Sequence, residues 1–366
     1  MPSHSPDMPV VTVVAGTRPE LVKIAPVVRE LTDSTEVSLQ FIHSGQHYDD
    51  ALSASFIDDL CLPDPDVRLG VGSGSHAEQT GEVLTALGPV LAETAPAMTV
   101  GVGDTNTVLS TAITASKLPT TFTHVEAGLR SFDRSMPEEV NRVLADHAAD
   151  VTFAPTLTAA DNLADEGITE TVHVVGNTVV DVCLRYERLD RSDVAVESVP
   201  ETGPFVLATI HRPRNTDNPA RLTSIIRALE NTSVPVILPA HPRTTAAIDT
   251  LDLTPADRLR LVDPLDYVTF LTLLDTATVV VTDSGGVQEE AATLETPCLT
   301  VRPNTERPET VAAGVNELVE PDTLGDQLSA LLIDEAVRSE MTGYPELYGD
   351  GEAGRRIAEE IIRRVT

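Results

Sequence analysis

The stretch Val279-Val280-Val281-Thr282-Asp283-Ser284-Gly285-Gly286-Val287-Gln288-Glu289-Glu290-Ala291 decides how the chain is read. Four strand-favouring residues run into a glycine turn, and the residues from Val287 onward predict a helix. The first N–H groups of a helix have no partners within it, and its dipole favours negative charge there. A buried parallel strand feeding such a turn is therefore a seat for an anion. Gly285 and Gly286 let a backbone approach it, and Ser284 can cap the helix or donate to an oxygen. Glu290 falls about one turn further on, where a carboxylate can accept two ribose hydroxyls. The stretch reads either as a nucleotide-diphosphate cradle or as an ordinary strand-to-helix turn with a serine cap.

The chain of 366 residues has room for two domains of ordinary size. Its 57 acidic residues stand against 25 basic ones, only two of them lysines, Lys23 and Lys117. A 41% apolar content with regular periodicity argues against disorder. At a net charge of −32 there is no basic stripe to neutralise phosphates, which excludes nucleic acid as the expected partner. An acidic, lysine-poor surface is instead of the kind found in halophile proteins, where salt screens the self-repulsion. Cys61, Cys183 and Cys298 form no ligand-spaced pair, so neither a disulfide framework nor a zinc site is expected. No run reaches membrane-spanning length and the first nine residues lack an apolar stretch, so a cytoplasmic protein with no membrane partner is expected.

Working outward from the cradle, apolar runs alternate with helical segments along the whole chain. Strands are predicted at 10–15, 37–43, 98–102, 120–125, 151–154 and 172–175, with a helix from about Glu20 to Leu31. The segment 191–204 breaks the rhythm and reads as a linker. The alternation then restarts at 205–210, 234–239, 259–262, 279–282 and 298–301, with helices near 325–341 and 352–365. This βα pattern predicts two Rossmann-like doubly wound domains, 1–190 and 204–345, facing a central cleft. The final segment, 346–366, is expected to pack back on the first.

Ligands of open α/β sheets bind beyond the carboxyl ends of the strands, so the residues following each strand are the candidates. After the first strand stand Thr17, Arg18, Glu20 and Lys23; Arg18 can fork onto a phosphate or, with Pro19, merely shape the turn. Asp104, in Gly103-Asp104-Thr105, is a helix cap or a base. Glu126 ends an apolar strand after His124, and a carboxylate buried there needs a partner or a task. Pro137-Glu138-Glu139 opens a helix; both acids suit the dipole, and Glu138 can also point back toward Glu126. Asp104, Glu126 and Glu138 would then form a cluster of acids raising one another's pKa for acid–base work. His211 and His241 follow strands of the second half, where a lone histidine is more often structural but two at equivalent places suggest function. Arg302, Glu306 and Arg307 are placed to close on the diphosphate, and His43, Gln46 and His47 to line a far wall. The Gly70–Ser75 run is read as a flexible connection or a secondary anion site.

Taken in order, G-T-R-P-E (16–20), G-Q-H (45–47), G-D-T (103–105), H-V-E-A-G-L-R (124–130), P-E-E-x-N-R (137–142), G-N-T-V-x-D (176–181), T-D-S-G-G-x-Q-E-E (282–290) and T-E-R-P-E (305–309) resemble one family. It is that of the non-hydrolysing UDP-N-acetylglucosamine 2-epimerases, of GT-B architecture. The resemblance implies reversible conversion of UDP-GlcNAc to UDP-ManNAc without a nicotinamide cofactor or metal, through elimination of UDP and readdition to 2-acetamidoglucal. It further implies acid–base roles for Asp104, Glu126 and Glu138, and assistance by His211 at the departing diphosphate. Phosphate contacts would come from Arg18, Ser284, Gly285, Gly286 and Arg307, a ribose contact from Glu290, and a uracil contact from Phe270. The family is commonly dimeric, which makes a homodimer the expectation. Where many bacterial members carry G-Q-H-R-E, in a region that helps bind a second, activating UDP-GlcNAc, this chain has Gly45-Gln46-His47-Tyr48-Asp49, a departure that leaves allosteric control outside what the resemblance implies. The rival readings are an epimerase of a diacetamido uronic acid UDP-sugar, a GT-B glycosyltransferase, and a catalytically silent sugar-nucleotide binder.

Overall fold

The structure is a computed structural model and describes residues 8–45, 57, 59–187, 203–240, 242–251, 258–343 and 346–366. Gln46, His47, His241 and most of the expected linker, 191–202, lie outside the described residues. The chain divides into two compact units, one formed by 1–182 with 348–366 and the other by 183–347.

In the first unit the strands are β1 (Val10–Ala15), β2 (Ser38–His43), β3 (Val67–Arg68), β4 (Met98–Val102), β5 (Thr121–Val125), β6 (Val151–Ala154) and β7 (Val172–Val174). They form one parallel sheet in the order β3-β2-β1-β4-β5-β6-β7. Sequence order reverses between β1 and β4, the place where such sheets leave a crevice. β1 and β4 are buried along nearly their whole length because helices cover both faces, which is why they read as continuous apolar runs. β3 was not expected: two residues, one of them a charged Arg68, carry no strand pattern, and the strand forms by pairing with Ile42 and His43 while Val67 packs against Val14, Ile42, Leu87 and Leu91.

The second unit repeats the plan with β8 (Val206–Thr209), β9 (Val236–Pro239), β10 (Leu259–Val262), β11 (Val279–Thr282), β12 (Cys298–Thr300) and β13 (Asn316–Leu318). Their order is β10-β9-β8-β11-β12-β13, again all parallel, with the reversal between β8 and β11. One face of this sheet presents Val206, Ala208, Val236, Leu238, Val279 and Val281 to helix Pro219–Glu230, which answers with Leu222, Ile225, Ile226 and Leu229 at helical spacing. Leu324, Leu328 and Leu331 of helix Leu324–Ile333 join the same core. The helix expected at 325–341 is two: Asp334 accepts the N–H groups of Ala336 and Val337 and starts a second helix, Glu335–Glu340. Among the described residues no helix is long and apolar enough to cross a membrane.

The chain's last helix, Ala353–Val365, lies against helix Arg18–Asp33, so closely that a Cβ on Gly354 would stand 2.4 Å from Pro26 Cβ. Asp181, the last residue of the G-N-T-V-x-D run, closes that helix's N-terminus by accepting the N–H groups of Gly354 (2.7 Å) and Ala353 (3.2 Å). Burial outweighs these bonds and pushes the Asp181 carboxyl up from 3.8 to about 6. A carboxyl with a raised folded-state pKa favours folding while protonated and loses that contribution as pH climbs through its folded value. Urea unfolding of the protein and of Asp181→Asn between pH 4 and 8 should therefore show the wild type losing about 3 kcal/mol relative to the variant between roughly pH 4 and 6.5, with a flat difference above. A constant difference would mean that Asp181 titrates normally.

Candidate active site

At the first unit's reversal point the chain leaves β1 through Gly16, where a Cβ would sit 1.8 Å from Ser44 Oγ; only glycine fits. Thr17 caps helix Arg18–Asp33 and Glu20 completes a capping box, its Oε2 accepting the N–H groups of Gly16 (2.9 Å) and Thr17 (2.8 Å). Thr105 Oγ1 donates to the other Glu20 oxygen at 2.5 Å, so this helix N-terminus is filled by the protein's own carboxylate. Arg18 opens the helix half-buried. One turn on, Lys23 forms a buried ion pair with Glu126, the residue that follows β5.

The register of β4 on β5 sets Val102 beside Val125, and the Gly103 N–H continues the ladder to the Val125 carbonyl (3.1 Å). Gly103 and Asp104 thus leave β4 next to Glu126, and a Cβ on Gly103 would lie 3.5 Å from both Glu126 Oε2 and Lys23 Nζ. Glu126 has φ +68°, a left-handed backbone that costs a non-glycine residue about 1 kcal/mol or more and persists only where its surroundings impose it. Those surroundings are polar and buried. His124 holds Asp146 Oδ1 through Nδ1 (2.6 Å) and the Gly103 carbonyl through Nε2 (2.8 Å). Asp146 Oδ2 accepts from Gly128 N–H (3.1 Å) and pairs with Arg130 (2.7 Å). Burial alone would raise the Asp146 carboxyl, but His124 and Arg130 hold it below its ordinary value.

Two of the three acids carry a base of their own. Asp104 is paired with Arg142, which also lies 3.3 Å from Glu139, and Glu126 is paired with Lys23. A carboxylate buried at a strand end is stabilised far more by a cation than by another acid. Glu139, read as a dipole acid, stands in the first turn of helix Pro137–Ala148 and also closes the preceding loop by accepting from Ser131 N–H, Ser131 Oγ and Phe132 N–H. Glu138 is half-exposed on the first turn of helix Pro137–Ala148 and has no hydrogen-bond or ion-pair partner among the described residues. His43 ends β2 buried, and burial with nearby Arg68 pulls it down to about 4, so it is neutral.

In the second unit, Thr282 pairs with Thr209 and their hydroxyls meet at 2.6 Å, which aligns the ends of β11 and β8. Asp283 therefore faces His211 and Arg212 across the reversal point. Helix Gly285–Thr293 starts two residues earlier than expected, so both glycines belong to its first turn. Ser284 is its N-cap but makes no side-chain capping bond. A Cβ on Gly285 would lie 3.0 Å from Glu306 Oε1 and 3.2 Å from Arg307 Nη1, whereas one on Gly286 would meet nothing within 4 Å. A side chain at Gly285 would press on what lies beneath it, and the backbone at Gly286 is open to an incoming group. Arg307 is almost wholly buried, 3.0 Å from Glu289 Oε1 and 3.2 Å from Glu306 Oε1, while Arg302 Nη2 meets Glu306 at 2.6 Å. These charges form a braced floor under the glycine turn.

Glu290 accepts a hydrogen bond from Tyr267 OH at 2.8 Å, and Tyr186 stands edge-on to the Tyr267 ring. Burial and the neighbouring Glu290 charge keep Tyr267 protonated and able to donate. Phe270 lies one turn further along the same helix, Tyr267–Thr276, and is half-buried rather than core. Sequence reasoning missed Tyr267, Asp283 and the His124–Asp146 pair. A tyrosine three residues before the singled-out Phe270 was the available signal for the first; the others depend on strand order.

The family model described as UDP-N-acetylglucosamine 2-epimerase matches residues 29–362 of this chain. The chain belongs to the UDP-N-acetylglucosamine 2-epimerase family. Within this family of epimerases it is 41% identical over 360 residues to the UDP-N-acetylglucosamine 2-epimerase of Methanocaldococcus jannaschii, covering 94% of this chain and 97% of the relative. It is 37% identical over 366 residues to the UDP-2,3-diacetamido-2,3-dideoxy-D-glucuronate 2-epimerase of Pseudomonas aeruginosa, covering 97% and 100%. A crystal structure of the M. jannaschii epimerase in complex with UDP-GlcNAc and UDP superposes with a TM-score of 0.88 at 40% identity, over 97% of this chain and 99% of that one. The α/β fold is thus GT-B-like, as the motifs implied.

For this epimerase-family site the Lys23–Glu126 pair gives a direct test. Lys23→Met removes the cation facing a buried carboxylate and should lower stability to urea by about 3 kcal/mol, most of it recovered when Glu126→Leu is added. A single variant as stable as the wild type would show that Glu126 does not rely on this cation.

Proposed function

We propose that this protein interconverts UDP-N-acetylglucosamine and UDP-N-acetylmannosamine by epimerisation at C2. A carboxylate takes the C2 proton and the C1–O bond breaks with its electron pair leaving on UDP. The 2-acetamidoglucal so formed receives UDP again at C1 and a proton on the other face of C2. Asp104, Glu126 and Glu138 supply the acid–base groups from segment 1–190, with Lys23 beside Glu126. His211 assists the departing diphosphate. Arg18, Ser284, Gly285, Gly286 and Arg307 serve the phosphates, Glu290 the ribose and Phe270 the uracil, and His241 belongs with them; most of this seat lies in segment 204–345, with 346–366 closing the chain back onto the first segment.

The observation that carries the reading is the near full-length match, at 41% identity, to the M. jannaschii enzyme, together with a buried carboxylate, Glu126, held on a left-handed backbone beside a lysine. A strained, buried acid fits proton abstraction from carbon, which needs a close base shielded from water. An open glycine backbone at a helix N-terminus fits a leaving diphosphate, whose growing charge needs preorganised donors. The full-length match to the diacetamido-glucuronate 2-epimerase favours a modified UDP-sugar as the second reading. We also read the protein as a homodimer of the cytoplasm that feeds polysaccharide synthesis, and as a haloarchaeal-type member of the family, on the strength of its −32 charge and two lysines.

Proton NMR of UDP-GlcNAc with the protein in deuterated, high-salt buffer should show UDP-ManNAc carrying deuterium at C2, and Glu126→Gln should slow this by about 100-fold or more. An unchanged UDP-GlcNAc spectrum, with turnover of the diacetamido uronic acid UDP-sugar, would install the second reading. Raising KCl from low to molar concentration should raise the melting temperature, since about one Debye length of 3 Å then screens the surface acids; a falling melting temperature would remove the halophile assignment.

A further inference from the structure

We propose that Asp283 is a positioning residue for His211, taking the ring's Nδ1–H and so presenting Nε2 outward at the reversal point between β8 and β11. The proposal rests on the proposed function for what His211 then does, but its geometry stands apart from it. Asp283 is completely buried, whereas the His211 side chain is about half exposed (54%), with Nδ1 3.0 Å from Asp283 Oδ1. Around the same carboxylate stand the N–H groups of His211 (3.1 Å to Oδ1, 3.2 Å to Oδ2) and Arg212 (2.9 Å) and the Asn215 side-chain amide (3.0 Å). Burial alone would raise the Asp283 carboxyl; the His211 ring, the Arg212 N–H and Asn215 hold it below its ordinary value, so it stays a carboxylate.

A carboxylate accepts only, so the nitrogen facing it carries the proton and the other is the one shown to a ligand. Backbone bonds and Asn215 already secure Asp283 to the loop. The bond to an exposed ring buries little further surface, and what it adds is orientation. Arg212 is tied to the same turn, its Nε donating to the Asp283 carbonyl at 2.8 Å, so the segment that carries His211 is held at two points. Asp283 is also the residue directly before Ser284 and the open backbone at Gly286, so the imidazole is fastened to the same turn that would receive the diphosphate. The pairing follows from strand register: Thr282 beside Thr209 puts the next residues of both strands face to face.

The test is a double-mutant cycle with Asp283→Asn, His211→Gln and both together, reading kcat and KM for UDP-GlcNAc epimerisation. Asp283→Asn should lower kcat by about 100-fold with little change in KM, as misplacement of a reacting group does. It should add almost nothing once His211 is already Gln. An equal loss in both backgrounds would make Asp283 a brace for the loop and overturn the proposal. Nitrogen-15 NMR of histidine-labelled wild-type protein, with His211→Gln for assignment, reads the ring directly and needs neither activity nor a foldable Asp283 variant. A proton on Nδ1 of neutral His211 supports the proposal, and one on Nε2 alone overturns it. An Nδ1 proton in a protein that turns over no UDP-sugar would leave the positioning intact and sink the proposed function instead.

Discussion

A charge buried where a parallel strand ends must find its counter-group on the spot, and both sheets are organised by that requirement. Strands covered on two faces by helices leave polar side chains only one outlet, the carboxyl edge, where water is already scarce. Lys23 meets Glu126 there, Arg142 meets Asp104, His124 and Arg130 meet Asp146, and His211 meets Asp283. Each pairing joins different elements or loops, so the ion pairs double as ties between them. A chain so short of lysine places one of its two at this edge.

Register converts these ties into a site. Because Val102 stands beside Val125, Gly103 and Asp104 emerge next to Glu126; because Thr282 stands beside Thr209, Asp283 emerges next to His211. A shift of one residue in either pairing would turn the side chains to the other face and separate both partnerships. The two sheets use the reversal of strand order in the same way, yet their edges differ in chemistry. The first is crowded with acids held by bases, while the second offers open backbone at Gly286 over a floor of neutralised arginines and glutamates.

The stability of these edges is not uniform. Glu126 sits on a left-handed backbone that only its bonded neighbours enforce, and Asp181 holds the last helix through a carboxyl that burial works against. In both places the local cost is offset by contacts made elsewhere, such as the His124–Asp146 clamp behind the first and the close seating of Gly354 on Pro26 beside the second.

The sequence by itself determined the two-fold βα alternation, most strand positions to within a residue or two, the glycine turn after β11 and the membership suggested by its motifs. Those features are local or periodic, written in runs such as Val279–Thr282 and in the order of short motifs. Tertiary structure alone decided which charges pair. Neither the burial of Arg307 beneath Gly285, nor Tyr267 on Glu290, nor Asp283 on His211 can be read along the chain, and no more can the pairing of Asp104 with Arg142 or of Glu126 with Lys23. The reason is topological: a sheet ordered 3-2-1-4 sets the first and fourth strands side by side, and which residues leave those strands together depends on register, a relation between segments that no single segment contains.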